Sequence, residues 1–223
     1  MSLPDNVVTD SNAPADYAIL AYDFDGTITT RDTFALFLRY YAGTPRWAGN
    51  ILRLLPTFVA YKLGRVDRHA VKRAVVKQFF AGEDAVNVEA KAECFARDVI
   101  PGLVRPAALA QLRAIMAGPE DKRESLYICS ASIGPYLRHW AKGVGIAPDH
   151  VLATEMAVES HDGKESMSGL LHGYNVWGSN KVRRISDTFA PQSVRILESY
   201  GDTRGDREML HAAQASFFRP FRV

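Results

Sequence analysis

Three short apolar runs in this chain each stop abruptly at a polar cluster, a pattern that restricts the fold more than any other feature. Ala18-Ile19-Leu20-Ala21-Tyr22 stops at Asp23-Phe24-Asp25-Gly26-Thr27, Leu126-Tyr127-Ile128-Cys129 stops at Ser130, and Val194 to Tyr200 stops at Gly201-Asp202. Runs this short, ending in turn formers, read as buried strands. Val151-Leu152-Ala153 and Ser216-Phe217-Phe218 are weaker strand candidates. Helix-like segments lie between them at Pro106 to Met116, Gly134 to Lys142, Lys181 to Thr188 and Arg207 to Ala215. Alternation of this kind predicts an α/β fold on a parallel sheet. Ligands of such sheets sit beyond the carboxyl ends of the strands, where Asp23, Asp25, Ser130 and Asp202 all fall.

Between Thr33 and Val99 there is no convincing strand but a clear helical period, as in Phe34, Phe37, Leu38 and Tyr41, then Val71, Val75, Val76 and Phe79. Residues 33–99 are therefore expected to be an inserted helical cap, with 17–32 and 100–223 forming the core. Glu155 to Asn175, with Asp162-Gly163 inside it, is expected to form a hairpin. Met1 to Asp16 has neither a basic nor an apolar segment and is expected to be a flexible tail, not a secretory signal. Ile51 to Leu63 is interrupted by Arg53, Pro56 and Lys62 and is too short to span a bilayer. The formal charge of +2 lends no support to nucleic acid as a partner. Cys94 and Cys129, with no CxxC, suggest neither a disulfide framework nor a zinc site, so a reduced, cytoplasmic setting is expected.

Asp23 and Asp25 lie two apart at a strand end, which puts their carboxylates on one side of a turn, and Gly26 lets the backbone of Gly26-Thr27 curl round a small ligand. Two close carboxylates repel unless a cation sits between them, and hard oxygen ligands favour Mg²⁺. Asp23 could then attack phosphorus, while Asp25 protonates the leaving oxygen and later takes a proton from water. The plainer reading is an Asp-rich turn. Ser130 and the following N–H, that of Ala131, could hold phosphate oxygens, or Ser130 could be an ordinary turn residue. Lys181 could neutralise phosphate charge or be solvated, and Asp202 with Asp206 in GDxxxD could add metal ligands or cap a helix.

Taken in order, DFDGT, Ser130, Lys181 and GDxxxD resemble the four motifs of the haloacid dehalogenase-like phosphohydrolase superfamily, over residues 23 to 206. With its insert directly after the first motif, the chain is similar to subfamily IB, the phosphoserine phosphatase-like branch. The resemblance implies a Rossmann-like core and Mg²⁺. It makes Asp23 the nucleophile and a metal ligand, Asp25 the acid/base with its carbonyl on the metal, and Asp202 a metal ligand. It gives Ser130 and Lys181 the phosphoryl group, and Asp206 the metal or the orientation of Lys181. An Asp two residues after the nucleophile favours phosphatase chemistry over dehalogenation.

Where the resemblance implies a Glu nine residues after the nucleophile, this chain has Asp32, and Arg73 is the candidate for reaching a substrate carboxylate. The stretches Arg31 to Tyr40, Leu52 to Pro56 and Tyr61 to Arg65 resemble bacterial phosphatidylglycerophosphate phosphatase-like members of the branch. Between Arg39 and Lys77 stand nine basic residues against the single acid Asp67, a net +8. Such a cap suits an anionic substrate, small or lipid-linked, or peripheral contact with an anionic membrane at its inner face. A solvated helical surface explains the same charges. The competing class for the whole chain is a phosphate-binding protein without turnover.

Overall fold

The computed structural model describes residues 16–222. Six strands form one sheet in the order β4-β3-β2-β1-β5-β6. They are β1 (Tyr17–Tyr22), β2 (Leu126–Ile133), β3 (Val151–His161), β4 (Lys164–His172), β5 (Val194–Gly201) and β6 (Ala213–Phe218). All pairings are parallel except β3 with β4. The helices are α1 (Thr33–Lys62), α2 (Arg68–Phe80), α3 (Ala85–Asp98), α4 (Pro106–Met116), α5 (Glu120–Glu124), α6 (Gly134–Gly143), α7 (Ser179–Phe189) and α8 (Arg207–His211). This is the expected α/β architecture, with β1 at its centre and its strand ends converging. The expected tail lies outside the described residues except for Asp16, whose carboxylate accepts from the Ser193 N–H at 2.8 Å.

Three elements differ from expectation. β2 does not end at Cys129: its pairing with β3 slips between Ser130 and Ile133, so Ala131 and Ser132 form a bulge inside a longer strand. The segment Val151 to Ala153 is the start of an eleven-residue strand that runs on into the expected hairpin. The hairpin turns at Asp162-Gly163, both at positive φ. The helix expected over Arg207 to Ala215 stops at His211, because from Ala213 the chain pairs with β5, Ala213 opposite Ile196 and Phe218 opposite Gly201. Pairing along a sheet edge overrides helix propensity here.

Residues 33–98 form three helices. α1 breaks at Gly43, where φ is +71° just before Pro45, so its first turns and its longer second half run in different directions. Asp32, Asp67 and Asp84 cap the three helices, each accepting from the N–H three residues on. These helices share one apolar core with the sheet side: Phe37 of α1 lies 5.2 Å from Phe95 of α3 and 5.1 Å from Tyr136 of α6, centroid to centroid. The turn between α2 and α3 is also fastened to β4. The Gly82 N–H donates to Met167 O and the Met167 N–H to Glu83 O, both at 2.8 Å.

Gly169 on β4 makes that fastening possible. Its φ is +77°, and a Cβ there would lie 2.7 Å from Ala81 Cβ and 3.1 Å from Ala81 Cα. Gly169→Ala is therefore expected to lower unfolding free energy by about 2–4 kcal/mol, the sum of left-handed backbone strain and overpacking, read from the denaturant midpoint. Gly143→Ala, in open space at the end of α6, should cost nothing and serves as the control.

Candidate active site

Asp23 follows β1 directly and is buried, 6% exposed. Lys181, in the first turn of α7, donates to Asp23 Oδ1 at 2.5 Å and to the Cys129 carbonyl at 2.7 Å, and pairs with Asp206 Oδ1 at 2.7 Å. The Thr27 hydroxyl donates to Asp23 Oδ2 at 3.0 Å. Burial pushes the Asp23 carboxyl up, to about 8, although Lys181 favours its charged form. Burial also works against the charge of Lys181, but the Asp23 and Asp206 carboxylates hold its ammonium well above the ordinary range. Asp206 is buried too, yet Lys181 and the N–H groups of Thr203 and Asp202 keep its carboxyl below the usual range.

Asp25 points to a different set of partners. Its Oδ1 accepts from both the N–H and the hydroxyl of Thr33, each at 2.6 Å, and its Oδ2 accepts from the Ser132 hydroxyl. Burial, and secondarily the Asp32 carboxylate, push Asp25 up to about 6, against those hydrogen bonds. A carboxyl in that range can give and take a proton near neutrality.

Asp23, Asp202 and Asp206 bring carboxylate oxygens within 4.8 Å of one another. Asp202 Oδ2 pairs with Arg222 at 2.5 Å, while Asp202 Oδ1 is buried with no hydrogen-bond partner among the described residues. An orphaned carboxylate oxygen beside two other carboxylates is what a hard divalent cation needs, so this set fits Mg²⁺. Gly26 leaves the space: a Cβ there would come within 2.4 Å of Asp202 Oδ2.

The cavity above these groups has a volume of about 620 Å³. Asp23, Asp25, Gly26, Ala131, Lys181, Asp202 and Asp206 line it, as does Asp32 at its edge. Thr27 does not line it and acts through Asp23. Ser130 also lies off the cavity, its hydroxyl accepting from the Ser132 N–H at 3.1 Å, so it braces the bulge that presents Ala131 and Ser132. Arg73 is exposed on α2 and is not in the wall. Its neighbour Lys72 is, with its ammonium 3.2 Å from the centroid of the Phe34 ring. Burial lowers that ammonium to about 7, opposed by the Asp32 and Asp25 carboxylates.

Sequence reasoning missed Ser132, Thr33, Lys72 and Arg222. The second serine of Ser130-Ala131-Ser132 and the threonine opening α1 were visible signals, but the bulge and the helix entry that aim them were not. Trp47 and Trp177, far apart in sequence, line the same cavity, and Arg68 of α2 lies 5.3 Å over the Trp177 ring.

A buried carboxylate and lysine cluster at the carboxyl edge of a mostly parallel sheet, roofed by helices inserted after the first strand, marks an α/β enzyme core with its site at the strand ends. Residues 20–211 match the haloacid dehalogenase-like hydrolase family, and the chain belongs to it. Over 204 residues, 92% of this chain and 86% of its relative, it is 38% identical to protein CicA of Caulobacter vibrioides. A solved protein of unknown function from Bordetella pertussis Tohama I has a TM-score of 0.71 at 21% identity, covering 90% of this chain and 88% of that one. A phosphoserine phosphohydrolase-like protein from Francisella tularensis subsp. tularensis SCHU S4 has a TM-score of 0.57 at 13% identity, with coverage of 90% and 85%. At these identities the likeness is one of fold.

If the carboxylate set holds Mg²⁺, the ion should raise the melting temperature of the wild-type protein by roughly 5–10 °C at about 100 times its Kd. Gly26→Ala, which displaces Asp202, should lose most of that shift in a thermal melt. An equal shift in both proteins would exclude this site.

Proposed function

We propose that this protein is a Mg²⁺-dependent phosphomonoesterase that works through an aspartyl-phosphate on Asp23. The observation that carries this reading is the division of labour between the two aspartates. Asp23 is buried, clamped by Lys181 and Thr27, whereas Asp25, two residues on, is held in place by Thr33 and Ser132 and pushed up by burial to about 6. Asp23, Asp202, Asp206 and the Asp25 carbonyl would hold Mg²⁺, which when bound neutralises phosphoryl charge as a Lewis acid.

In the first half-reaction an Asp23 carboxylate oxygen bonds to phosphorus as the bond to the ester oxygen breaks, and Asp25 gives that oxygen its proton. The Ala131 N–H would hold a phosphoryl oxygen and the Lys181 ammonium would offset phosphoryl charge, with Gly26 giving the group room. In the second half Asp25 takes a proton from water as its oxygen bonds to phosphorus, and the bond to Asp23 breaks to release phosphate. Asp206 keeps Lys181 in place throughout. A protein that only bound phosphate would not need Asp25 held this way. Strict phosphoserine recognition finds less support, since Asp32 is exposed and caps Ala35 while Arg73 points outward.

A second reading concerns location. No helix among the described residues is long and apolar enough to cross a membrane. On α1 and the residue after it, however, Leu52, Leu55, Val59 and Leu63 are 67, 46, 55 and 62% exposed, among the basic residues Arg53, Lys62 and Arg65. Helical spacing of apolar residues with cations between them suits the surface of an anionic bilayer. We therefore propose that the protein acts in the cytoplasm, in peripheral contact with the inner membrane face.

Asp23→Asn should have no measurable turnover of an aryl phosphate, and Asp25→Asn should slow turnover by about 10²- to 10⁴-fold. Chelation should silence the wild type, and readdition of Mg²⁺ should restore it. Wild-type rates in either variant would remove the mechanism. Sedimentation with anionic vesicles should be strong at low salt and decline as salt rises, and Leu52→Asp with Leu63→Asp should weaken it. No sedimentation at low salt would end the membrane reading alone.

A further inference from the structure

The two sides of the cavity differ in chemistry. The floor carries the carboxylates and Lys181, whereas the facing wall, from α1 and α2, is built of Phe34, Trp47, Ile51, Phe58, Val71 and Val75. All but Val75 are half-buried: they pack on the main apolar core with one side and turn the rest of their surface to the cavity. Two cations of that wall lie against rings, Lys72 3.2 Å from the Phe34 centroid and the exposed Arg68 5.3 Å from that of Trp177. The Asp32 carboxylate is engaged by the Ala35 N–H at 2.9 Å. A small polar alcohol seated against this wall would leave its apolar surface wet, while an alkyl or aryl body would cover it.

We propose that the substrate is a phosphate monoester whose leaving alcohol is apolar, its alkyl or aryl body lying against the wall of α1 and α2. This rests on the phosphatase reading for the phosphoryl end but depends on the wall for the rest. The leaving oxygen departs toward Asp25, on the side of the cavity where Phe34 and Lys72 stand, so the body it carries has to pass along that wall.

Straight-chain alkylphosphonates, whose carbon–phosphorus bond is not hydrolysed, test the wall without turnover. Titration calorimetry on the wild-type chain with Mg²⁺, below the aggregation concentration of each probe, should show Kd falling by up to about four-fold per methylene. From methyl- to octylphosphonate the fall should be about 10²-fold or more. A terminal hydroxyl on the same chain should weaken binding, and Ile51→Ser or Phe58→Ser should flatten the series. Equal Kd values along the series, or hydroxyl-ended chains binding as tightly, would overturn the inference.

Turnover separates this from the phosphatase reading. A graded Kd with no phosphate released from octyl phosphate would sink that reading and leave the apolar wall standing. Phosphate released at equal kcat/KM from methyl and octyl esters would do the reverse. Soluble octyl phosphate and phosphatidic acid in neutral vesicles distinguish the source of the apolar body: preference for either over methyl phosphate supports the inference, and preference for neither overturns it.

Discussion

The Lys181 ammonium, 1% exposed and wedged between the Asp23 and Asp206 carboxylates, is the interaction on which the rest of this site depends. Bringing an ion that deep costs several kcal/mol of desolvation, recovered only if every proton finds an acceptor. Here they do: Asp23 from the end of β1, Asp206 from beyond β5, and the Cys129 carbonyl from β2. One side chain therefore fixes three neighbouring strand ends relative to each other. The convergence of carboxylates also limits what else the pocket can hold. Asp23, Asp202 and Asp206 bring oxygens within 4.8 Å of one another. A divalent cation among them would offset their repulsion and supply a partner for the unpaired Asp202 Oδ1.

Much of this was legible because it depends on local pattern. Asp-x-Asp-Gly after an apolar run, a Gly-Asp after another, and a lysine opening an amphipathic helix each state their own placement. What was illegible depends on pairing between distant segments. Ser130 was the natural phosphate-side serine if β2 ended at Cys129, but the slip against β3 carries the strand to Ile133 and turns Ser132 toward Asp25. Arg73 and Lys72 are adjacent, and it is the packing of α2 in the fold that leaves Lys72 in the cavity wall and Arg73 exposed. Arg222 reaches Asp202 because β6 returns the chain to the edge of β5, a pairing that weakly patterned Ala213 to Phe218 did not announce.

The helical insert shares its packing with the sheet side. Phe37, Phe95 and Tyr136 join it to the sheet side in one core, and the turn after α2 is stitched to β4. The second half of α1, beyond the break at Gly43, turns Leu52, Leu55 and Val59 outward but is tied to α2 and the turn after it, Asn50 Oδ1 accepting from Gln78 at 3.0 Å and Arg46 pairing with Glu83. Glycine at positive φ, two residues before Pro45, kinks α1 there. Residues 44–62 bring Trp47, Ile51 and Phe58 to the cavity.

That division bears on the chemistry through Asp25. Asp23 is anchored entirely within the sheet side, by Lys181 and Thr27, so its position does not depend on the insert. Asp25 takes its hydrogen bonds from Ser132 in the β2 bulge and from Thr33, the first residue of α1. Thr33 lies before the Gly43 kink, and its hydroxyl is tied to Tyr136 at 3.1 Å. The Asp25 carboxyl is thus held by the first turn of the insert, while Trp47, Ile51 and Phe58, half of the apolar wall, lie beyond the kink. Neither aspartate takes a hydrogen bond from residues 44–62, so on the proposed mechanism the groups that meet the phosphoryl and those that meet the leaving alcohol are held independently.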